Sequence, residues 1–321
     1  MRSLAKPAIS VIIPVYNRCA ELIDTLNSLS QSVPMPLEVL IVNDGSTDDV
    51  VQKLTNYRSS SPLPIKLLNL PRNAGPAGAR NEGIRNAAGD YLWFLDSDVE
   101  LPAPTLLGDM LKIMEERSDI GAVGGSVETI AGQWIHSRTG WEENALPRIA
   151  QYPAKDLGPY EPDSLSTSNM LVDGKVARSV GLFNETLCFL EDLDYSLRIR
   201  KSGKKLFTDK NTCILHHHFS SGKADGGVYS FYSSLKRYTH NYHKARLLIA
   251  TGTLGLPLSS VVWKDFVYCL KVLGSGGRKG LKVSGAAVKV VGEKKVSLVS
   301  IAYAHITSLF SAYLSYKPSP R

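Results

Sequence analysis

The sequence predicts an α/β fold, with a doubly wound, mostly parallel sheet followed by a basic helical extension, and three observations predict it. Strand-length apolar runs alternate with helix-length stretches through residues 1–100, the rhythm of consecutive βαβ units. Several of those runs are apolar almost throughout, as strands covered on both faces tend to be. Charge is also divided along the chain: residues 1–228 carry −5 and residues 229–321 carry +12, which together give the net +7 of 321 residues.

The elements follow in order. Ile9–Val15 (ISVIIPV) reads as a buried strand, and Ala20–Leu29 as a helix with Leu22, Ile23, Leu26 and Leu29 on one face. Glu38–Val42 (EVLIV) is the second strand and Asp48–Asn56 the second helix, with acids at its start. Ile65–Leu70 is the third strand, the small-residue stretch Gly75–Ala88 a helix, and Tyr91–Leu95 (YLWFL) the fourth strand. Beyond Asp98 the rhythm changes. Thr105–Glu116 reads as a helix and Gly121–Val127 as a strand. Gln133–Asp163 has little periodicity and reads as a long loop region near an acceptor. Regular structure resumes at Ser179–Phe183, then in a helix at Glu191–Gly203 with acids first and Gly203 as C-cap. Leu206–His217 reads as a strand leading into a histidine run.

This organisation predicts a catalytic domain over residues 1–228, with a nucleotide-binding half (1–100) and an acceptor half (101–228), and a basic helical region over 229–321. In that region Arg246–Trp263 and Val296–Leu314 are apolar but interrupted, and neither is a clean span of about 20 apolar residues. Lys264, Lys271, Arg278, Lys279, Lys282, Lys289, Lys294 and Lys295 lie between them. Basic residues beside amphipathic helices suit attachment to an anionic membrane surface; the plainer account is a soluble helical cap with a solvated basic face. Nucleic acid is not expected as a partner. The cysteines at 19, 188, 213 and 269 form no C-x-x-C pair, and no signal peptide is visible, so a reducing, cytoplasmic setting is expected, peripheral to the membrane.

The chemistry concentrates where the early strands end. Ligands of open parallel sheets bind beyond the carboxyl ends of the strands. There the sequence has Tyr16-Asn17, Asn43-Asp44-Gly45-Ser46, Asn73 leading to Arg80-Asn81, and Asp96-Ser97-Asp98. Carboxylates, amides and an arginine in one crevice suit a nucleotide diphosphate. Residues i and i+2 of an extended chain point the same way, so Asp96 and Asp98 can face one cation such as Mg²⁺. A turn or helix cap before Leu101-Pro102 would also explain them. Glu191-Asp192 at a helix start serves either the helix dipole or general-base catalysis. One histidine of the run 216–218 can complete a metal site or stand in a solvated loop.

Five blocks in order, SVIIPVYNR, EVLIVNDGSTDD, NAGPAGARNEGIRNAAGDYLWFLDSDV, FLEDLDYSLRIRKSG and ILHHHFSS, resemble the inverting family 2 glycosyltransferases of the GT-A fold over residues 8 to 225. The resemblance implies a sugar transferred from a nucleotide-diphosphate sugar to an acceptor hydroxyl, with Mg²⁺ or Mn²⁺, and the basic region would keep the enzyme near a lipid-linked or membrane-displayed glycan acceptor. It implies that Pro14, Tyr16, Asn17 and Asp44 hold the base and ribose, with Arg80 near the diphosphate. Asp96 belongs to the nucleotide site and, with Asp98 and His216, to the metal site. Asp192 is implied as the base, with Glu191 orienting it or touching the acceptor. Asn43 stands where many members have aspartate, which leaves two candidates for reading the base. The Q-x-x-R-W block of processive polymer synthases is absent, since no glutamine follows Gln151. A nucleotidyltransferase would need a glycine- and basic-rich phosphate loop after the first strand, which YNRCAELIDT lacks. A catalytically silent nucleotide-sugar-binding scaffold remains the alternative.

Overall fold

The computed structural model describes residues 7–124, 126–129, 134–136, 138–141, 147–150, 159, 161–187, 190–217, 247–253 and 255–261. Its strands are β1 (Ile9–Val15), β2 (Glu38–Asn43), β3 (Ile65–Asn69), β4 (Tyr91–Leu95), β5 (Val99–Glu100), β6 (Ile120–Gly124), β7 (Ser126–Thr129), β8 (Trp134–His136), β9 (Arg138–Trp141), β10 (Pro147–Ala150), β11 (Asn169–Asp173), β12 (Lys205–Phe207) and β13 (Cys213–His216). Its α-helices are α1 (Cys19–Leu29), α2 (Val50–Arg58), α3 (Gly75–Asn86), α4 (Leu106–Glu116), α5 (Gly174–Val180) and α6 (Glu191–Lys201).

A seven-stranded sheet has the order β12-β6-β11-β4-β1-β2-β3. The pairs β1–β2, β2–β3, β1–β4 and β6–β12 are parallel, whereas β11 runs antiparallel to both its neighbours. Alternation along β1 divides the core. Val11, Ile13 and Val15 join the layer containing Leu22, Leu26 and Met110, and Ile12 joins the layer containing Phe94, Phe183 and Tyr195. Helix α3 approaches β1 closely because residue 83 is glycine: a Cβ there would lie 2.3 Å from Ile12 Cγ2. A four-stranded sheet, β5-β13-β7-β8, hangs from the end of β4, and β9 and β10 form a two-stranded ribbon.

Several expectations change. Gly121–Val127 is not one strand, because β6 and β7 belong to different sheets. Gln133–Asp163 is not a featureless loop, since β8, β9 and β10 fall within it. The segment expected at Ser179–Phe183 is helix α5, which begins five residues earlier, at Gly174, and stops at Val180. Leu206–His217 is broken by a 3-10 turn at Lys210–Thr212, capped by Asp209 accepting from the Asn211 and Thr212 amides. The strand β11 carries no alternation of its own and was not anticipated.

The described residues fall into two compact units. The first holds the seven- and four-stranded sheets and continues from Glu191 to His217. In the second, Leu247, Ala250 and Val261 pack together with Leu256, and Ile249–Thr253 forms a π-helical turn. No helix among the described residues is long and apolar enough to cross a membrane. His218, Cys188, Cys269 and most of the basic extension, including Val296–Leu314, lie outside the described residues.

Candidate active site

Parallel pairing of β4, β1, β2 and β3 brings their carboxyl ends to one edge of the sheet. Strands lie about 4.8 Å apart, so the loops after β2 and β4, two places apart, are within reach of one extended ligand. At β2 the Asn43 amide is committed within the fold: it donates to Asn69 Oδ1 at 2.9 Å and accepts from Ser46 N at 2.9 Å. Asp44, buried next to it, accepts from Ala74 N at 2.6 Å, and burial raises its carboxyl above the ordinary value despite that bond and one from Gly75. Gly45 (φ +72) makes this turn possible, since a Cβ would meet Arg72 C and Asn73 N at 2.8 Å. At β1, Pro14 lies inside the strand, and Tyr16 beyond its end is 37% exposed. Asn17 (φ +53) accepts from Thr47 N at 2.7 Å through its side chain, and its amide donates to Ser46 Oγ at 3.1 Å.

Asp96, Ser97 and Asp98 form the turn joining β4 to β5, not an extended stretch. The two carboxylates converge through that turn and not through strand alternation. Strand β13 supplies the third group, because its pairing with β5 sets His216 opposite Val99. His216 Nε2 then lies 3.5 Å from Asp98 Oδ1 and 3.7 Å from Asp96 Oδ2. One ligand atom from each of the three residues lies within 4.8 Å of the others. His217 points elsewhere, with Nε2 3.4 Å from Glu100 Oε2. Of the two run residues described, His216 is therefore the one in the site.

Arg80 ties this cluster to helix α6. Its guanidinium donates to Asp96 Oδ1 and to Glu191 Oε1, both at 2.9 Å, with only 5% of the side chain exposed. Both Nη groups are thus bonded to carboxylates. Ser168 Oγ, just before β11, donates to Asp96 Oδ2 at 2.7 Å. Burial would raise Asp96, but His216, Arg80 and Ser168 outweigh it and hold its carboxyl well below the usual range. His216 shows the converse: burial would lower it, and Asp96 and Asp98 raise it above the ordinary histidine value.

Asp192 follows Glu191 in the first turn of α6 and accepts from Leu193 N at 2.8 Å. Burial, then the neighbouring Glu191 charge, push it up to about 7, against the opposing pull of that amide and of Arg80. A carboxylate of that pKa beside a cation-type cluster is equipped to take a proton near neutral pH.

The sequence reading missed two polar partners. Arg18, in the bend before α1, pairs with Asp98 Oδ2. Ser168 braces Asp96 from the turn before β11, a strand that local patterning did not reveal. Position after the first strand was the one available signal for Arg18; for Ser168 there was none.

The family model described as glycosyl transferase family 2 matches residues 10–171. An uncharacterized glycosyltransferase of Haemophilus influenzae is 26% identical over 233 residues, covering 68% of this chain and 71% of that protein. One of Rickettsia conorii is 43% identical over 112 residues, 35% of this chain, and the chain spans only 18% of that relative's length. Among solved structures, the mannosyltransferase of Pyrobaculum calidifontis in complex with GDP-Man and Mn²⁺ aligns with a TM-score of 0.62 at 15% identity, covering 98% of this chain and 89% of that one. TarS (residues 1–349) of S. aureus in complex with UDP-GlcNAc aligns at 0.54 and 18% identity, covering 96% and 91%. At these identities the likeness is one of fold.

Proposed function

Because the chain belongs to glycosyl transferase family 2, we propose that it transfers a sugar from a nucleotide-diphosphate donor to an acceptor hydroxyl, with inversion at the anomeric carbon. The observation that carries this reading is the joining of two groups at one sheet edge. Asp96, Asp98 and His216 form a cation-type cluster, and Arg80 bridges it to the Glu191-Asp192 pair. The GDP-Man and Mn²⁺ of one structural neighbour and the UDP-GlcNAc of another support the donor class.

Two carboxylate oxygens and one imidazole nitrogen suit Mg²⁺ or Mn²⁺, which commonly take the rest of their ligands from phosphate oxygens and water. When bound there, the ion supplies Lewis-acid stabilisation of charge growing on the leaving diphosphate. Asp192 takes the proton of the acceptor hydroxyl. The acceptor oxygen bonds to the anomeric carbon from one face as the bond to the nucleotide diphosphate breaks on the other. Glu191, clamped by Arg80, fixes the start of α6 and with it the direction of Asp192. Pro14, Tyr16, Asn17 and Asp44 hold the base and ribose along the β1–β2 edge, with Arg80 on the diphosphate side.

The +12 charge of residues 229–321 favours an anionic membrane, so the acceptor is a lipid-linked or membrane-displayed glycan reached from the cytoplasmic face. A thermal-shift screen against UDP-, GDP- and dTDP-sugars, with and without Mn²⁺, tests the donor class, because a ligand of the native state raises the melting temperature. Metal-dependent stabilisation by one nucleotide series is expected. A shift without Mn²⁺-dependent donor hydrolysis would leave the silent-scaffold alternative standing, and no shift with any of them would sink both readings.

A further inference from the structure

The two carboxylate oxygens of Asp98 face different groups. Its Oδ1 faces His216 and its Oδ2 is taken by Arg18 Nη1. The carboxylate is almost wholly enclosed at 2% exposure, whereas the Arg18 side chain is 36% exposed. The backbone beneath Arg18 is fixed on both sides: Asn17 is bonded to Ser46 and Thr47, and Cys19 N donates to Asp48 Oδ2 at 3.0 Å. Arg18 itself is non-helical, at φ −140 and ψ 47. Only the side chain has room to relocate, and it pivots from an anchored base.

Two guanidiniums serve the carboxylates of the site, Arg18 on Asp98 and Arg80 on Asp96 and Glu191. A buried carboxylate needs a cation beside it. Arg80 is enclosed and bonded twice, so the partner able to leave is Arg18. A divalent ion on Asp96, Asp98 and His216 would make a guanidinium on the same Asp98 carboxylate redundant and repelled. A displaced guanidinium is a natural ligand for a diphosphate, which it pairs with in a bidentate manner.

We propose that Arg18 is a binding residue for the nucleoside diphosphate of the donor, held on Asp98 until a divalent ion displaces it. This rests on the metal and donor reading above. Arg18 then opposes metal binding alone and favours metal and nucleoside diphosphate together, which couples the two ligands reciprocally.

The test is Mn²⁺ binding to the full chain, read from the free-ion electron paramagnetic resonance signal, with and without UDP or GDP. Arg18→Gln is expected to bind Mn²⁺ alone about tenfold more tightly than wild type, while the enhancement by nucleoside diphosphate falls by about the same factor. Equal or weaker Mn²⁺ binding by Arg18→Gln overturns the assignment to Arg18 and leaves the metal site intact. Absence of Mn²⁺ binding in both proteins overturns the metal reading itself. A measurement on wild type guards against a variant that fails to fold. Phenylglyoxal modification of Arg18, mapped by peptide mass, is expected to speed up with Mn²⁺ alone and to be suppressed by Mn²⁺ with UDP or GDP. A rate unmoved by Mn²⁺ alone would count against the proposal.

Discussion

Glu191 Oε1 accepts a hydrogen bond from Arg80 Nη1 at 2.9 Å although 111 positions of chain separate them. The same guanidinium holds Asp96 at 2.9 Å, so one enclosed arginine sets the spacing between the turn after β4 and the first turn of α6. Breaking a buried network of this kind takes the guanidinium from two carboxylates at once, at a cost of about 3–5 kcal/mol. Arg80→Gln is therefore expected to lower thermal stability strongly. Arg80→Lys, which cannot reach two carboxylates in a planar fork, should restore only part of it. Melting curves of the two variants check this, and a near-wild-type melting temperature for Arg80→Gln would show that the bridge carries little.

Asp192 gives a prediction with a definite sign. Its carboxyl is pushed up to about 7 by burial and Glu191, and a general base acts only when ionised. The kcat/KM profile should rise with pH through about 7 and level off above it. Asp192→Asn should abolish that turnover while nucleotide affinity stays within a few-fold. Stability runs the other way. An acid whose folded pKa is raised loses stability as pH climbs from its unfolded value, about 4, to the folded one. Asp192→Asn should therefore melt higher than wild type at pH 8, with the difference vanishing below about pH 4. A variant that keeps the wild-type rate would sink Asp192 as the base.

The central strands were legible because burial on both faces leaves a local mark: ISVIIPV, EVLIV and YLWFL are apolar almost throughout. Partnership over distance leaves none. Nothing within NMLVD says that β11 inserts antiparallel between β4 and β6, and Ser168 reaches Asp96 only because of that insertion. Asp96 and Asp98 were identified from their place after a strand, yet the geometric reason was a turn and not strand alternation. His216 could not be told from its neighbours in the run until the β5–β13 register set it opposite Val99. Asn43, a candidate for reading the base, is occupied by Asn69 and Ser46, an outcome that depends on β2–β3 pairing.

The charge division makes a prediction about location. Residues 229–321 hold 14 Lys or Arg and two acids, and basic residues near an anionic leaflet each contribute about 1 kcal/mol of attraction. Truncation after residue 228 should move the protein from the membrane pellet to the soluble fraction. Vesicles containing phosphatidylserine should bind the full chain at low salt and release it as ionic strength rises. Unchanged partitioning after truncation would remove the membrane from the proposal.

His216 offers a test of the metal cluster that does not depend on turnover. Asp96 and Asp98 raise its pKa above the ordinary value of 6.5 in the metal-free protein, more than burial lowers it. A protonated imidazole cannot ligate, so proton and metal compete for the same nitrogen. Mn²⁺ affinity should therefore climb as pH rises through and beyond 6.5. In His216→Gln the affinity should be lower, by about tenfold, and flatter over that range, because the imidazole that competes for protons there is gone and the Asp96 carboxyl, held well below the usual range, has already lost its proton. Titrations of free Mn²⁺ at several pH values separate the two proteins. Parallel pH dependences would mean that the ion, where it binds, does so without His216.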